Sequence, residues 1–293
     1  MARIFLTAPL SAPLWWGTGG SPSGDGSVAN PFDCPATAWR YIQSNYDLGG
    51  VPGLVITLQM IPGTCVLPGV GNCVGPLVGQ VSALSVKFLG DPVTPANCTI
   101  DGRNALTVAL GGTDGAAFSF GGFRFYSKQA NTAFDGSGTH AIMTDMCISS
   151  TTLDDYHYSA TNMARLTILA NRGVETGGPG SHLNAFGAGN ITVQQQGLWV
   201  WIMGNSVVFG QGFASCVDNG QITDSNTIYY DGRSGNPSQP FGLGYPTGGP
   251  RTVINTGGQV ATGSGTPLIH FPGNSSYPGS NQGNLITAPG TIS

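Results

Sequence analysis

Short β-type runs recur along this chain at a spacing too regular for a sandwich. The runs opening at Ala117, Ala141, Met163 and Leu183 begin 24, 22 and 20 residues apart. Each is rich in Val, Ile, Thr and Phe and is closed by Gly, Asn or Asp, which is how a strand bounded by turns reads. No crossover helix separates them, so a doubly wound α/β sheet is excluded. A period of about two dozen residues, one strand-bearing unit per period, is the mark of a solenoid whose rounds stack and hydrogen-bond to one another. The spacing predicts an all-β protein, a parallel β-helix. Past Leu183 the period blurs, and no hexapeptide or RTX-type repeat is visible.

Composition agrees with stacked turns. Glycine supplies 47 of 293 residues and charged residues only 8%, against about 25% in an ordinary globular chain. Apolar residues make up 40%, enough to bury a core. The inward set expected is Phe118, Phe120, Phe123, Phe125, Ile142, Leu166, Ile168, Ile191 and Val193, each contributing about 1.5–3 kcal/mol when buried. Arg124, between two phenylalanines, is expected to face out.

One segment breaks the texture: "DCPATAWRYIQ" at 33–43. Asp33 is a suitable N-cap and Pro35 falls in the first turn, where its missing N–H costs nothing. Ala38, Tyr41 and Ile42 make an apolar stripe with Trp39 beside it, and Gly49–Gly50 supply a stop. The end of a solenoid exposes both an unpaired edge and an apolar interior, so it needs a cover. The helix at 33–46 is therefore expected to be a cap, with Asp33, Trp39, Tyr41 and Ile42 as capping residues. The organisation expected is an N-terminal strand and capping helix (1–50), the β-helix (51–232) and an irregular Gly/Pro-rich C-terminal segment (233–293), packed on the β-helix or extending it.

Several function classes are disfavoured. Ten basic residues are spread thinly in a chain of net charge −4, which argues against nucleic acid as a partner. No stretch has the 18 apolar residues of a membrane span. The opening "MARIFLTAPLSAPLWW" carries prolines in its apolar run and no clean A-x-A site, so it reads as a first strand rather than a signal peptide. The six cysteines form no C-x-x-C pair and no histidine stands at ligand spacing. They read as buried free thiols, although Cys65 and Cys73 are close enough to close a small loop. No metal and no cofactor is expected.

Three stretches carry a resemblance. "GTGGSPSGDGSVANPFDCPATAWRYIQ" (17–43) is similar to the opening of pectate-lyase-like right-handed β-helix proteins of tailed phages and prophages. "ALSVKFLGDPVTPANCTIDG" (83–102) resembles their next feature, a strand, a Gly-Asp and a Pro-bearing turn. "RTVINTGGQVATGSGTPLIHFPGNSSYPGS" (251–280) resembles their ending. The resemblance spans nearly the whole chain, yet it rests on turns and strands and includes no catalytic signature. It implies a right-handed parallel β-helix and a virion protein of tail-spike, fibre or head-decoration type. Such a protein is commonly a homotrimer, assembles in the host cytoplasm with other virion proteins, and meets host surface polysaccharide.

Some such spikes degrade glycans with paired carboxylates, which a glycosidase holds roughly 5–9.5 Å apart. Glu175 is the chain's one glutamate. At about 21 residues per round, a spacing taken from the solenoid period, Asp154 or Asp155 would stand level with it, which makes these three the candidate catalytic residues, with Arg165 or Arg172 as a base for a lyase. Against this stands the plain reading of solvated loop acids. Tyr156, His157 and Tyr158 in "DDYHY" are candidate glycan contacts, through hydrogen bonds and ring stacking. Trp199 and Trp201 in "LWVWI" share one face of a strand apolar on both faces, which suggests an interface. His140 and His270 fit no motif and read as structural. The expected function is a virion structural protein contacting host glycans. The alternatives are a polysaccharide-degrading tail spike using Asp154 or Asp155 with Glu175, and a secreted bacterial β-helix adhesin.

Overall fold

The computed structural model describes residues 2–69, 71–103, 108–151, 156–170, 172–177, 181–194, 200–203, 214–217, 220–224, 228–231, 243–247, 253–256, 259–262, 285–287 and 291–292. At 150–151, 172–177, 181, 200–203, 214–217 and from 223 onward it describes the backbone alone.

The strands fall into three sheets and visit them in rotation. The first sheet is ordered Leu14–Ser21, Ile56–Ile61, Val86–Leu89, Ala117–Gly121, His140–Met143, Arg165–Ile168, Asn190–Val193, Gln221–Asp224 and Val253–Thr256. The second runs from Gly63–Val66 through Cys98–Asp101, Arg124–Ser127, Cys147–Thr151, Arg172–Gly177, Val200–Met203 and Ile228–Asp231 to Gln259–Thr262 and Leu285–Thr287. The third holds Asn72–Val74, Leu110–Thr113, Thr132–Asp135, Tyr156–Thr161, Ser181–Phe186, Ala214–Val217 and Leu243–Thr247. From Val86 to Thr262 the chain takes one strand in each sheet before returning, so a strand pairs in parallel with the third strand after it. Among the described residues the protein is mostly β, joined by parallel pairing, with a single α-helix. Parallel strands need a long connection, and here each connection is a pair of strands lent to the other two sheets.

The register corrects the period. Arg165 pairs with His140 and with Asn190, so each return takes 25 residues, and the return from Asn190 to Gln221 takes 31. Leu183 belongs to the third sheet, beside Tyr158. The run of 24, 22 and 20 therefore mixed two sheets, because every sheet contributes strands of the same composition. The sheets also run on through the segment 233–293, where Val253–Thr256 pairs with Gln221–Asp224 and Gln259–Thr262 with Ile228–Asp231.

Parallel register preserves side-chain parity from strand to strand, because alternate residues face alternate sides. Leu58, Phe88, Phe120, Met143, Ile168 and Val193 form one continuous inward column, and all are fully buried. Phe118, Ala141, Leu166, Ile191 and Ile222 form another. Ile142 is a correction to the expected core: it pairs with Ser119 and Thr167 in the outward column, while Ala141 and Met143 face in. The remaining residues of the expected inward set are fully buried.

The helix spans Pro35–Asn45. Ala38, Trp39 and Ile42 on it are wholly buried in the main core. Trp39 Nε1 donates to the carbonyls of Val74 (3.3 Å) and Gly75 (3.2 Å), and Gln43 Nε2 donates to Val74 O at 2.7 Å. The helix is thus held on the first strand of the third sheet. The Trp39 ring lies 5.7 Å from Phe118, and half-buried Tyr41 stacks on Phe32 at 4.9 Å.

The N-cap is Cys34, not Asp33, and no side chain caps the helix. Asp33 is held in extended backbone pairing instead. Its N–H donates to Ser21 O, and the Cys65 thiol donates to its carbonyl at 3.2 Å. Its Oδ1 is buried without a partner among the described residues. The helix ends before the glycines because Tyr46 turns extended and pairs with Ile4.

Cys34, Cys65, Cys73, Cys98 and Cys147 are buried free thiols. Burial pushes Cys65 up to about 12 and Cys98 up to about 11, so these sulfurs behave as small apolar groups.

Candidate functional site

The outward columns of the first sheet build a polar groove. His140, Arg165, Asn190 and Gln221 stand level on four successive strands, and Thr167 and Thr192 stand level two residues along. With Ser137, Gly138, Thr139, Met163 and Ala188 they line a groove of about 1050 Å³. None of these described lining residues carries a carboxylate.

The groove wall is the corner joining the third sheet to the first. Asn162, Met163 and Ala188 take positive φ there (50°, 69° and 62°), a region costly for side-chain-bearing residues and held only by surrounding contacts. The contacts are visible. Asn162 N–H donates to Phe186 O and Met163 N–H to Gly187 O. Asp135 Oδ1 accepts from Thr161 Oγ1 and Asn162 Nδ2, both at 2.7 Å. A Cβ at Gly187 would fall 2.6 Å from Asn162 Oδ1, so only glycine lets the two corners stack. Asp135 is in this way committed to the corner.

Inside the groove the polar groups are partly engaged with one another. His140 Nε2 lies 3.1 Å from Thr167 Oγ1, Thr192 Oγ1 donates to Asn190 Oδ1 at 2.9 Å, and Asn190 Nδ2 donates to Gln221 Oε1 at 3.5 Å. Burial, and then the Arg165 charge, hold the His140 pKa below its usual value. Arg165 is exposed and makes no ion pair among the described residues. The arrangement offers hydrogen-bond donors and acceptors in rows along the stack, about 4.8 Å apart. It suits binding of a long hydroxylated ligand.

The candidates chosen from the sequence are distributed otherwise. Glu175 pairs with Ser149 and Met203 in the second sheet, so the round there is 26 residues and not 21, and Glu175 does not stand level with residue 154. Asp154 and Asp155 themselves lie outside the described residues, as do Trp199 and His270. Trp201 sits in the second sheet, paired with Gly173 and Tyr229. Arg172 opens its strand level with Val200. For Arg172, Glu175 and Trp201 only the backbone is described.

His157 and Tyr158 are corrected from surface contacts to buried residues, both fully enclosed. Their polar tips are satisfied inside: Ser149 Oγ donates to Tyr158 OH at 2.8 Å, and His157 Nδ1 lies 3.1 Å from Nδ1 of the equally buried His182. Tyr158 stacks edge-on against His182 at 5.2 Å. Tyr156 remains half-buried. Polar aromatics are readily taken for surface residues, but partners one round away allow them to be buried.

Burial and the neighbouring His157 ring hold His182 well below its usual pKa. A lowered histidine pKa means that the unfolded chain takes up a proton that the folded one refuses. The stability is therefore complete above about pH 6.5 and declines as pH falls, by about 1.4 kcal/mol per pH unit for one such group. His140 acts in the same sense. Urea unfolding between pH 7.5 and 5 is expected to show this decline, and His182→Gln to flatten it by about one proton's worth. An unchanged slope in the variant would remove His182 as its source.

The chain matches no protein-family profile, no curated protein and no solved structure.

The sequence reading missed Asn190, Thr192 and Gln221 as site residues and treated His140 as structural. The available signal was spacing: His140, Arg165 and Asn190 recur at 25 residues, but polar residues at that interval mean nothing until the strand register is known.

Proposed function

We propose that this chain is a right-handed parallel β-helix of a tailed-phage or prophage particle, a spike, fibre or decoration protein that binds host surface polysaccharide in the groove of its first sheet. The observation that carries the glycan reading is the row of His140, Arg165, Asn190 and Gln221 flanked by Thr167 and Thr192. A polysaccharide presents repeated hydroxyls along one axis, and the groove presents repeated donors and acceptors along one axis. The rotation of strands through three sheets, with one buried helix at the first rounds, supports the β-helix. The virion assignment rests on the resemblance of residues 17–43, 83–102 and 251–280.

In this reading the protein holds glycan and does not cleave it, which fits a groove whose described lining lacks the two carboxylates that hydrolysis needs. Polysaccharides purified from a panel of bacteria, mixed with the pure protein, test both halves. Retention of a polysaccharide is expected, with binding weakened about tenfold or more in the Asn190→Ala, Gln221→Ala double variant, since each lost hydrogen bond to a ligand costs roughly 0.5–1.5 kcal/mol. No new reducing ends or unsaturated uronates should appear. Release of either, abolished by Glu175→Gln, would replace this reading with the depolymerase. The homotrimer belongs to the same proposal, and light scattering at three times 30.0 kDa is its expected result.

A further inference from the structure

We infer that the groove selects acidic polysaccharides, those whose repeats carry a carboxylate, phosphate or sulfate, and that Arg165 is the residue that reads the charge. The inference rests on the glycan reading above and adds the ligand's chemical class.

Three observations converge on it. Arg165 lies in the middle of the groove, between His140 on one strand and Asn190 on the next. Its guanidinium is exposed and has no ion-pair partner among the described residues, whereas the ion-paired cations, Lys87 and Arg103, lie elsewhere with Asp145 and Asp101. The acid closest to the groove wall, Asp135, has Oδ1 occupied by Thr161 and Asn162.

The rest of the lining is neutral. Thr167, Thr192, Asn190 and Gln221 serve hydroxyls and acetamido groups but provide no charge. His140 is held below its usual pKa, in part by Arg165, and no acid offsets that effect. A lone guanidinium among neutral hydrogen-bonding groups offers a planar two-pronged donor to an anion. The chain as a whole is negative, at −4, so attraction of an acidic glycan has to be local. A neutral glycan would leave the guanidinium with water and gain nothing from it.

The test uses the full chain and an array of purified bacterial polysaccharides with acidic and neutral repeats. Each bound acidic polymer is then measured again after chemical reduction of its carboxylates to alcohols, or after removal of its phosphate or sulfate, which also tells the three anions apart. The expected result is binding confined to acidic polymers and weakened about tenfold or more by neutralising them. Arg165→Gln should cause the same loss on the untreated polymer and little change on the neutralised one. Raising salt from 0.1 M to 1 M, which shortens the screening length from ~10 Å to ~3 Å, should weaken the wild-type protein more than the variant.

Neutral polymers bound as tightly as acidic ones, or an acidic preference that survives Arg165→Gln, would overturn the inference. In the first case, if the Asn190→Ala, Gln221→Ala variant still loses binding, the glycan reading stands and only the acidic class falls. Absence of binding to every polymer on the array would overturn both.

Discussion

Removal of residues 1–46 is expected to convert a soluble protein into an aggregate. The deletion takes away the strand Leu14–Ser21, which pairs with Ile56–Ile61 at the end of the first sheet, and nearly the whole helix. The backbone edges of Ile56–Ile61 and the face of Asn72–Val74 under the helix then lose their cover. So do Phe88, Phe118 and Phe123, which Trp16 and Trp39 touch at 5.7–6.0 Å. An open edge beside an apolar interior is a template for further strands. Centrifugation and light scattering of the truncated protein give the readout. A monodisperse truncation would show that the helix is not a cover. Trp39→Ala is the milder form of the experiment. It is expected to cost about 3–5 kcal/mol in urea unfolding, as for other buried tryptophans.

Phe118→Ala should be the most damaging single substitution in the interior. The ring is fully buried and meets Trp39 at 5.7 Å, Phe88 at 5.1 Å, Phe134 at 5.9 Å and Phe120 at 6.5 Å, each edge to face. It joins the helix to all that follows. Truncation removes the transfer energy and these edge-to-face contacts, and leaves a cavity that a tightly packed interior closes only in part. A loss of about 3–5 kcal/mol is expected, a large fraction of the 5–15 kcal/mol that holds a typical domain folded. Phe186, 39% exposed, is the control, and its replacement by alanine should cost about 1 kcal/mol or less. Equal losses at the two positions would contradict the placement of Phe118 at the junction.

The two substitutions also indicate what was legible beforehand. Eight of nine expected inward residues are fully buried, since strand residues alternate and large apolar side chains mark the inner side. Ile142 is the exception. Its own strand, "HAIM", is apolar on both sides, so composition cannot select a face; pairing with Ser119 and Thr167 does. The helix was legible from its stripe and its proline, but its cap was not. Asp33 is a good capping residue by type, yet its backbone is drawn into pairing with Ser21, and the helix starts one residue later.

The site was less legible than the fold. His157 and Tyr158 look like ligand contacts because they are polar and aromatic, and they are buried because Ser149 and His182 meet their polar atoms from other strands. The match of Glu175 with residue 154 failed on a miscount of five residues per round, which moves a side chain from one sheet toward the next.

Alternation, glycine turns and the lone amphipathic segment lie within a few residues of one another, so the sequence by itself determined the strands, most of the inward faces and the covering helix. Level positions on neighbouring strands are set by the length of the corners between them, here 25 to 31 residues per round. That length is free to vary because corners face solvent. Only the tertiary structure could decide that His140, Arg165, Asn190 and Gln221 share one groove and that two histidines far apart in sequence share one buried contact.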